Sequence, residues 1–286
     1  MVIDNIISAL VNEIKNYNSQ IVFRALEIGA LDIGDREKFH QILEYFPGSE
    51  IIGFEVAENT CEKLNSTAQN GVKYFPNALG LKKESRTFYE TNNTMCCSLY
   101  KPNERLLRLY NNFEMSYIRK ETQIDTIDLD TFVEETSTGS FDFIKIDVEG
   151  AELEIFKGAI KTLKDITFIV SEVEFIQLHE DQPLFGEISN FLSQSGFMFH
   201  KFLGMSGRTL KPLILNDEPF FASQHIWSDA IFIRDILKIK NLTSDQLLKL
   251  SVFAALYESL DLTYFCLDEH DKLFSTNFKK IFKSDS

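Results

Sequence analysis

Residues 141–159, FDFIKIDVEGAELEIFKGA, place the strongest constraint on what this chain can fold into. An apolar run from Phe141 to Val148 contains Lys145 and Asp147, then passes through Glu149 and Gly150 into residues with helical spacing, among them Glu152. A strand that is apolar along its whole length is buried on both faces, as in a parallel sheet covered by helices. Charged groups in such a strand are costly unless they are paired or serve a site. In open α/β sheets that site lies beyond the carboxyl ends of the strands, where Asp147 and Glu149 fall.

The same alternation runs through most of the sequence. Apolar runs at 22–28, 51–56, 72–75, 141–148 and 167–173 read as strands, with helical patterns at 35–45, 59–69 and 151–163 between them. This predicts an α/β fold with a mostly parallel sheet and helices on both faces. After a helix at 184–195, residues 196–202 and 230–234 read as an antiparallel pair at the sheet edge, joined by a long loop holding the only tryptophan, Trp227. Residues 81–128 are less regular, with short strands at 87–89 and 121–127, and read as an insertion over the top of the sheet. Residues 1–20 form an amphipathic helix, and from Leu237 onward the pattern is helical, with Leu247, Leu248, Leu250, Phe253, Leu256 and Leu260 apolar. The expected organisation is an N-terminal helix (1–21), an α/β domain (22–235) with the insertion at about 81–128, and a helical extension (236–286). Packing on the core is the expected use of that extension, and homo-oligomer formation the other.

Charge narrows the partners. The 43 acidic and 29 basic residues give a formal charge of −14, which repels nucleic-acid backbones and anionic lipid alike, so neither nucleic acid nor membrane is expected as a partner. The N-terminus lacks the basic start, apolar stretch and cleavage site of a secretory signal, and a cytoplasmic location is expected. Cys61, Cys96, Cys97 and Cys266 show no CxxC pair and read as free thiols.

The first strand ends in Glu27, Ile28, Gly29, Ala30, followed by Gly34 and Asp35 before a helix. Such a turn lets the backbone approach a ligand and aims helix N–H groups at it. The second strand ends at Phe54, Glu55, Val56, placing a carboxylate where it can accept from both hydroxyls of a ribose. The third runs into Pro76, Asn77, Ala78, Leu79, Gly80, and an asparagine there can reach an adenine edge. Together these features point to an adenosine-type ligand without naming it.

The segment 141–159 closely resembles the signature of the FkbM family of methyltransferases, with its apolar strand, IDVEGAE and KGA helix end. The turn at Ala25 to Asp35, the acid at Glu55, the PNALG stretch and WSDAIFIR at 227–234 follow in the same order, so the resemblance spans roughly residues 23–234. It implies a Rossmann-like class I methyltransferase fold with a seven-stranded sheet, S-adenosylmethionine as donor, and O-methylation of hydroxyls on sugars of glycans or natural products. By position it makes Glu27, Gly29, Ala30, Glu55, Asn77, Ala78 and Asp147 cofactor contacts, and puts Asp147 and Glu149 beside the methyl transfer. The turn from Glu27 to Gly34 is one residue longer than the family's compact turn, and Met95, Cys96, Cys97, Ser98 stand where the family tends to be serine-rich.

Methylating a hydroxyl needs a general base, or a metal that acidifies the hydroxyl. Glu172 and Glu174 alternate onto one side of the fifth strand with His179 close behind, so Asp147, Glu149, Glu174 and His179 are the catalytic candidates. Asp147, Glu149 and Glu174 are also the candidate ligands of a divalent metal. Two other readings stay open. An NAD-dependent oxidoreductase or epimerase would share the turn and the ribose acid, though the chain has neither GxGxxG nor a YxxxK pair. A non-catalytic binding protein would have kept the sheet and lost the cofactor. Glu152 reads as favourable charge at a helix N-terminus.

Overall fold

A computed structural model of the chain describes residues 2–30, 37–214, 218, 220 and 222–283. In chain order its strands are β1 (Arg24–Ile28), β2 (Glu50–Phe54), β3 (Val72–Phe75), β4 (Ala78–Leu79), β5 (Glu84–Thr91), β6 (Ile118–Ile127), β7 (Phe143–Ile146), β8 (Phe168–Glu174), β9 (Phe197–Phe202) and β10 (Trp227–Arg234). Its α-helices are α1 (Val2–Tyr17), α2 (Ile42–Tyr45), α3 (Glu58–Thr67), α4 (Glu104–Leu107), α5 (Leu129–Thr136), α6 (Glu152–Lys157), α7 (Phe185–Gln194), α8 (Ser244–Leu256) and α9 (Leu260–Phe274).

Seven strands form one sheet in the order β3-β2-β1-β7-β8-β10-β9, and β4-β6-β5 form a second, smaller one. The neighbours from β3 through β8 pair in parallel, whereas β10 is antiparallel to both β8 and β9. This is the α/β architecture expected from the sequence, including the antiparallel pair at the sheet edge. β10 is the inner member of that pair, between β8 and β9. Its alternation explains the position: Ala230 and Phe232 meet one core while Ile231 and Ile233 meet the other, so it needs cover on both faces.

Each face of the sheet carries its own apolar cluster. Ala25, Ile51, Phe143, Phe168, Val170, Ile231 and Ile233 face α1, α8 and α9. Leu26, Ile28, Ile52, Phe54, Ile144, Ile146 and Ile169 face α5, α6 and α7. The alternating side-chain direction of strands assigns Glu27, Lys145, Glu172 and Asp229 to the first of these faces, beyond the apolar core at the carboxyl ends of the parallel strands. Leu247, Leu248, Leu250, Phe253 and Leu256 are all buried there, so the apolar stripe of the C-terminal helices is used within the chain.

Several expected elements differ in extent. The helix predicted over 151–163 ends at Lys157, and the Gly158 that follows packs so closely that a Cβ on it would lie 2.6 Å from the carbonyl of Gly80. In the helix predicted at 35–45 the described part is a 3-10 turn at Lys38–Gln41 followed by α2, while Gly34 and Asp35 lie outside the described residues. The irregular region after Leu79 contains the long antiparallel pair of β5 and β6, well beyond the two short strands predicted. The four cysteines are free thiols, as expected. Among the described residues no helix is long and apolar enough to cross a membrane.

Phe253 of α8 is fully buried, with ring centroids 4.7 Å from Phe143 and 5.6 Å from Phe23. Phe253→Ala is expected to cost about 3–5 kcal/mol by leaving a cavity against the sheet, measured as a lower urea midpoint at unchanged slope.

Candidate functional site

The tips of β1, β2 and β7 are stitched together by backbone. Gly29 and Ala30 donate their N–H groups to the carbonyl of Phe54 at 3.2 and 3.0 Å, and Asp147 N–H donates to the carbonyl of Ile28 at 2.9 Å. Gly29 has φ +86°, and a Cβ there would lie 1.8 Å from the Asp147 carbonyl oxygen. The glycine is therefore fixed twice, by its left-handed backbone and by the approach of β7.

On one side of this seam lies a cavity of 90 Å³ lined by Gly29, Phe54, Glu55, Asn77, Ala78 and Met95, among others. Glu55 accepts from Ala57 N–H at 2.8 Å, which fixes the carboxylate at the β2 tip. Burial raises its pKa and that hydrogen bond opposes the rise. Asn77 is half-buried, and Ala78 is buried in β4, opposite Thr126. Apolar walls from Leu79, Phe88, Ile124 and Ile155 complete the cavity.

On the other side lies a cavity of 460 Å³, also reaching Gly29, Asp147 and Glu149. Its wall includes Glu27, Glu172, Glu174, His179, Arg208 and Trp227. Glu27 is held by His40 Nε2 at 3.3 Å and by the Tyr74 hydroxyl at 3.5 Å. Lys145 is buried between Asp229 at 2.8 Å and Asp147 at 3.3 Å. Burial works against its ammonium, but these two carboxylates outweigh it and hold its pKa well above the usual range. Lys145 is thus a permanent charge that orients Asp147.

The loop after β7 is held in an unusual shape. Glu149 has φ +57°, a left-handed backbone uncommon for a residue with a Cβ, and its carbonyl accepts from the Ser98 hydroxyl at 2.7 Å. Glu152 is fully buried and accepts from Val148 N–H at 2.9 Å and Gly150 N–H at 3.3 Å, so it clamps the loop, a more specific role than the favourable helix charge predicted for it. Burial raises its pKa to about 7. Ser98 and Met95 come from the segment following β5, which the sequence placed over the sheet.

Asp147, Glu149, Glu174 and His179 all reach the larger cavity, but in two groups. Asp147, Glu149 and Glu172 bring carboxylate oxygens within 4.8 Å of one another. Glu172 therefore stands where the sequence put Glu174 as the third candidate metal ligand. Glu174 is 1% exposed and His179 2%; among the described residues no hydrogen bond of ordinary geometry reaches the Glu174 oxygens or the His179 ring nitrogens, and the Gln182 amide is the polar group beside both. Burial, then the charges of Glu152 and Glu149, pushes Glu174 well above the carboxylate range. Burial lowers His179 to about 4, which keeps its ring neutral near pH 7. Glu149 and Glu172 are raised in the same way, by burial first and by Asp147 next.

Sequence reasoning did not single out Asp229, although an acid within the apolar run WSDAIFIR carries the same signal as Lys145. Glu37, His40 and Arg208 line the larger cavity with no local pattern to mark them.

A family model described as the methyltransferase FkbM domain matches residues 27–199, more than half of the chain and all of the segments forming both cavities up to Leu178 and His179. No curated protein matches the sequence. A solved structure described as that "of a putative methyltransferase from Thermoplasma acidophilum" aligns with 10% identity and a TM-score of 0.34, covering 76% of this chain and 70% of that one. A likeness that distant fixes no correspondence between residues.

Gly29→Ala is expected to lower the melting temperature and abolish ligand binding at the seam, as read by thermal melts and calorimetry. Glu174→Gln tests the uncompensated carboxyl. Because the Glu174 pKa is raised on folding, its contribution to stability is present below about pH 4.3 and lost as pH rises toward the folded value. The variant should therefore melt higher than the wild type at pH 8, with the difference shrinking toward pH 5. An unchanged difference across that range would show that Glu174 is already ionised in the folded protein.

Proposed function

The chain belongs to the FkbM methyltransferase family, and on that premise we propose that it transfers a methyl group from S-adenosylmethionine to a hydroxyl oxygen, on a sugar of a glycan or natural product. The observation that carries this reading is the meeting of two unlike cavities at Gly29, Asp147 and Glu149, one narrow and largely apolar, the other wide and acidic. The narrow one suits an adenosine, with Glu55 placed for the ribose hydroxyls and Asn77 for the adenine edge. Gly29 and Ala30 present backbone at the seam, and Glu27 lies on the wide side, where the methionine end would be held. S-adenosylmethionine supplies an electrophilic methyl on a sulfonium, whose positive charge suits a site lined by Glu27, Asp147 and Glu149.

The acceptor then occupies the wide cavity, and the remaining task for the protein is to take the hydroxyl proton. His179 is suited to it: a neutral ring, buried on the cavity wall, with no hydrogen bond of ordinary geometry to either nitrogen among the described residues. Glu174, on the same wall, is held neutral by burial and the neighbouring carboxylates, so it can donate a hydrogen bond to the acceptor. A second route has its own support. The convergence of Asp147, Glu149 and Glu172 fits a divalent cation, which binds carboxylate oxygens and would acidify a bound hydroxyl.

Calorimetric titration with S-adenosylmethionine, S-adenosylhomocysteine and NAD should show binding of the first two alone, lost in Glu55→Ala. Binding of NAD in their place would replace this reading with an oxidoreductase, and binding of none with a non-catalytic protein. In a methylation assay on sugar acceptors, His179→Asn is expected to lower kcat by about 100- to 10,000-fold with cofactor affinity intact. Chelation separates the two routes. Activity that survives EDTA assigns the proton to His179, and activity lost to EDTA and restored by Mg²⁺ assigns its acidification to the carboxylate group.

A further inference from the structure

The wide cavity is lined by an arginine as well as by carboxylates. There Arg208 lies with its guanidinium carbon 4.4 Å from the ring centre of Phe220, 4.6 Å from Trp227 and 5.5 Å from Phe113. One Nη donates to the carbonyl of Gly207 at 2.9 Å, while Nε is buried with no partner among the described residues. No carboxylate of the described residues forms an ion pair with it, although the chain carries 43 acidic residues against 29 basic ones. Its electrostatic neighbour is the Cys96 thiol, which burial pushes up to about 12, so that group is a neutral thiol near pH 7. Aromatic faces hold the guanidinium plane in place and leave its charge unspent. Stacked guanidinium groups recognise planar or tetrahedral oxyanions through paired N–H bonds.

We propose that Arg208 binds an anionic group, a carboxylate or a phosphate, carried by the acceptor molecule. The inference rests on the methyltransferase reading and adds a substrate class to it. The cavity thus carries both signs of charge: the Asp147 carboxylate disfavours an anion at the place of methyl transfer, and Arg208 attracts it to its own part of the wall. An acceptor with a hydroxyl at one end and an anion at the other is thereby oriented. Leu107, Phe113, Met115 and Trp227 offer apolar surface for the body of the molecule between them.

The test uses the full chain saturated with S-adenosylhomocysteine. Calorimetry compares three probes of one sugar: methyl glucoside, methyl glucuronide and methyl glucoside 6-phosphate, on the wild type, Arg208→Gln and Arg208→Lys. Wild type is expected to bind at least one anionic probe about tenfold or more tightly than the neutral one. The preference should vanish in Arg208→Gln and return in part in Arg208→Lys. Which anionic probe gains tells a carboxylate from a phosphate. Equal binding of all three, a preference that survives Arg208→Gln, or no binding of any probe overturns the proposal. S-adenosylhomocysteine affinity, unchanged in each variant, shows that the fold is intact. Failure of the wild type to bind S-adenosylhomocysteine would strike the methyltransferase reading itself.

Discussion

The buried ammonium of Lys145 ties two distant parts of the chain at the point where the site begins. It sits at the end of β7, 2.8 Å from Asp229 on β10 and 3.3 Å from Asp147 on the following loop. Carboxylates crowded at the strand tips would repel one another and the sheet would pay for each. A cation fixed among them offsets part of that cost: burial raises the pKa of Glu37 and Lys145 opposes that rise. Lysine serves here because a point charge on a flexible stem can reach out of an apolar strand without breaking its packing. The apolar part of β7 stays in the core and the charge lands at its edge.

What Lys145 leaves uncompensated is concentrated in one wall. The Glu174 carboxyl and the His179 ring are buried without a hydrogen bond of ordinary geometry among the described residues, Glu149 holds a left-handed backbone, and Glu152 spends its carboxylate on two loop N–H groups. Each arrangement is unfavourable for stability alone. Such costs gather where a chain binds or transforms something, because groups already satisfied by the protein have nothing left to offer a ligand. The contrast with Asp142 is instructive. It too is buried, but Lys249 at 2.9 Å and the backbone N–H of Arg24 at 2.8 Å satisfy it, and it lines neither cavity.

Much of the fold was legible because each parallel strand carries its own signal. β3 appears at the residues its apolar run predicted, and the ends of β1, β2, β7 and β8 lie within two residues of theirs. Local pattern fails where a contact made from far along the chain decides the outcome. Nothing in the spacing of 151–163 reveals that Gly80 will press against Gly158, and nothing in two adjacent strands reveals that the later one inserts between the earlier one and the sheet. The site divides in the same way. Gly29, Glu55, Asn77, Asp147 and Glu149 were readable because strand tips follow from strands. Choosing between Glu172 and Glu174 required knowing which carboxylate leans toward Asp147, and Arg208 enters through a loop whose path no periodicity describes.

One consequence concerns synthesis of the chain. The face of the sheet that carries Ala25, Ile51, Phe143 and Phe168 is covered by α8 and α9, so its earliest strand waits for residues far later in the chain to emerge. Until α8 leaves the ribosome, several aromatic side chains lie bare on a half-built sheet. Closing contacts between residues so far apart in sequence is slow and exposes sticky surface in the meantime. Nascent chains stopped before Phe253 would be the form of this protein that most depends on a chaperone, and expression at lower temperature should favour the finished fold over aggregates.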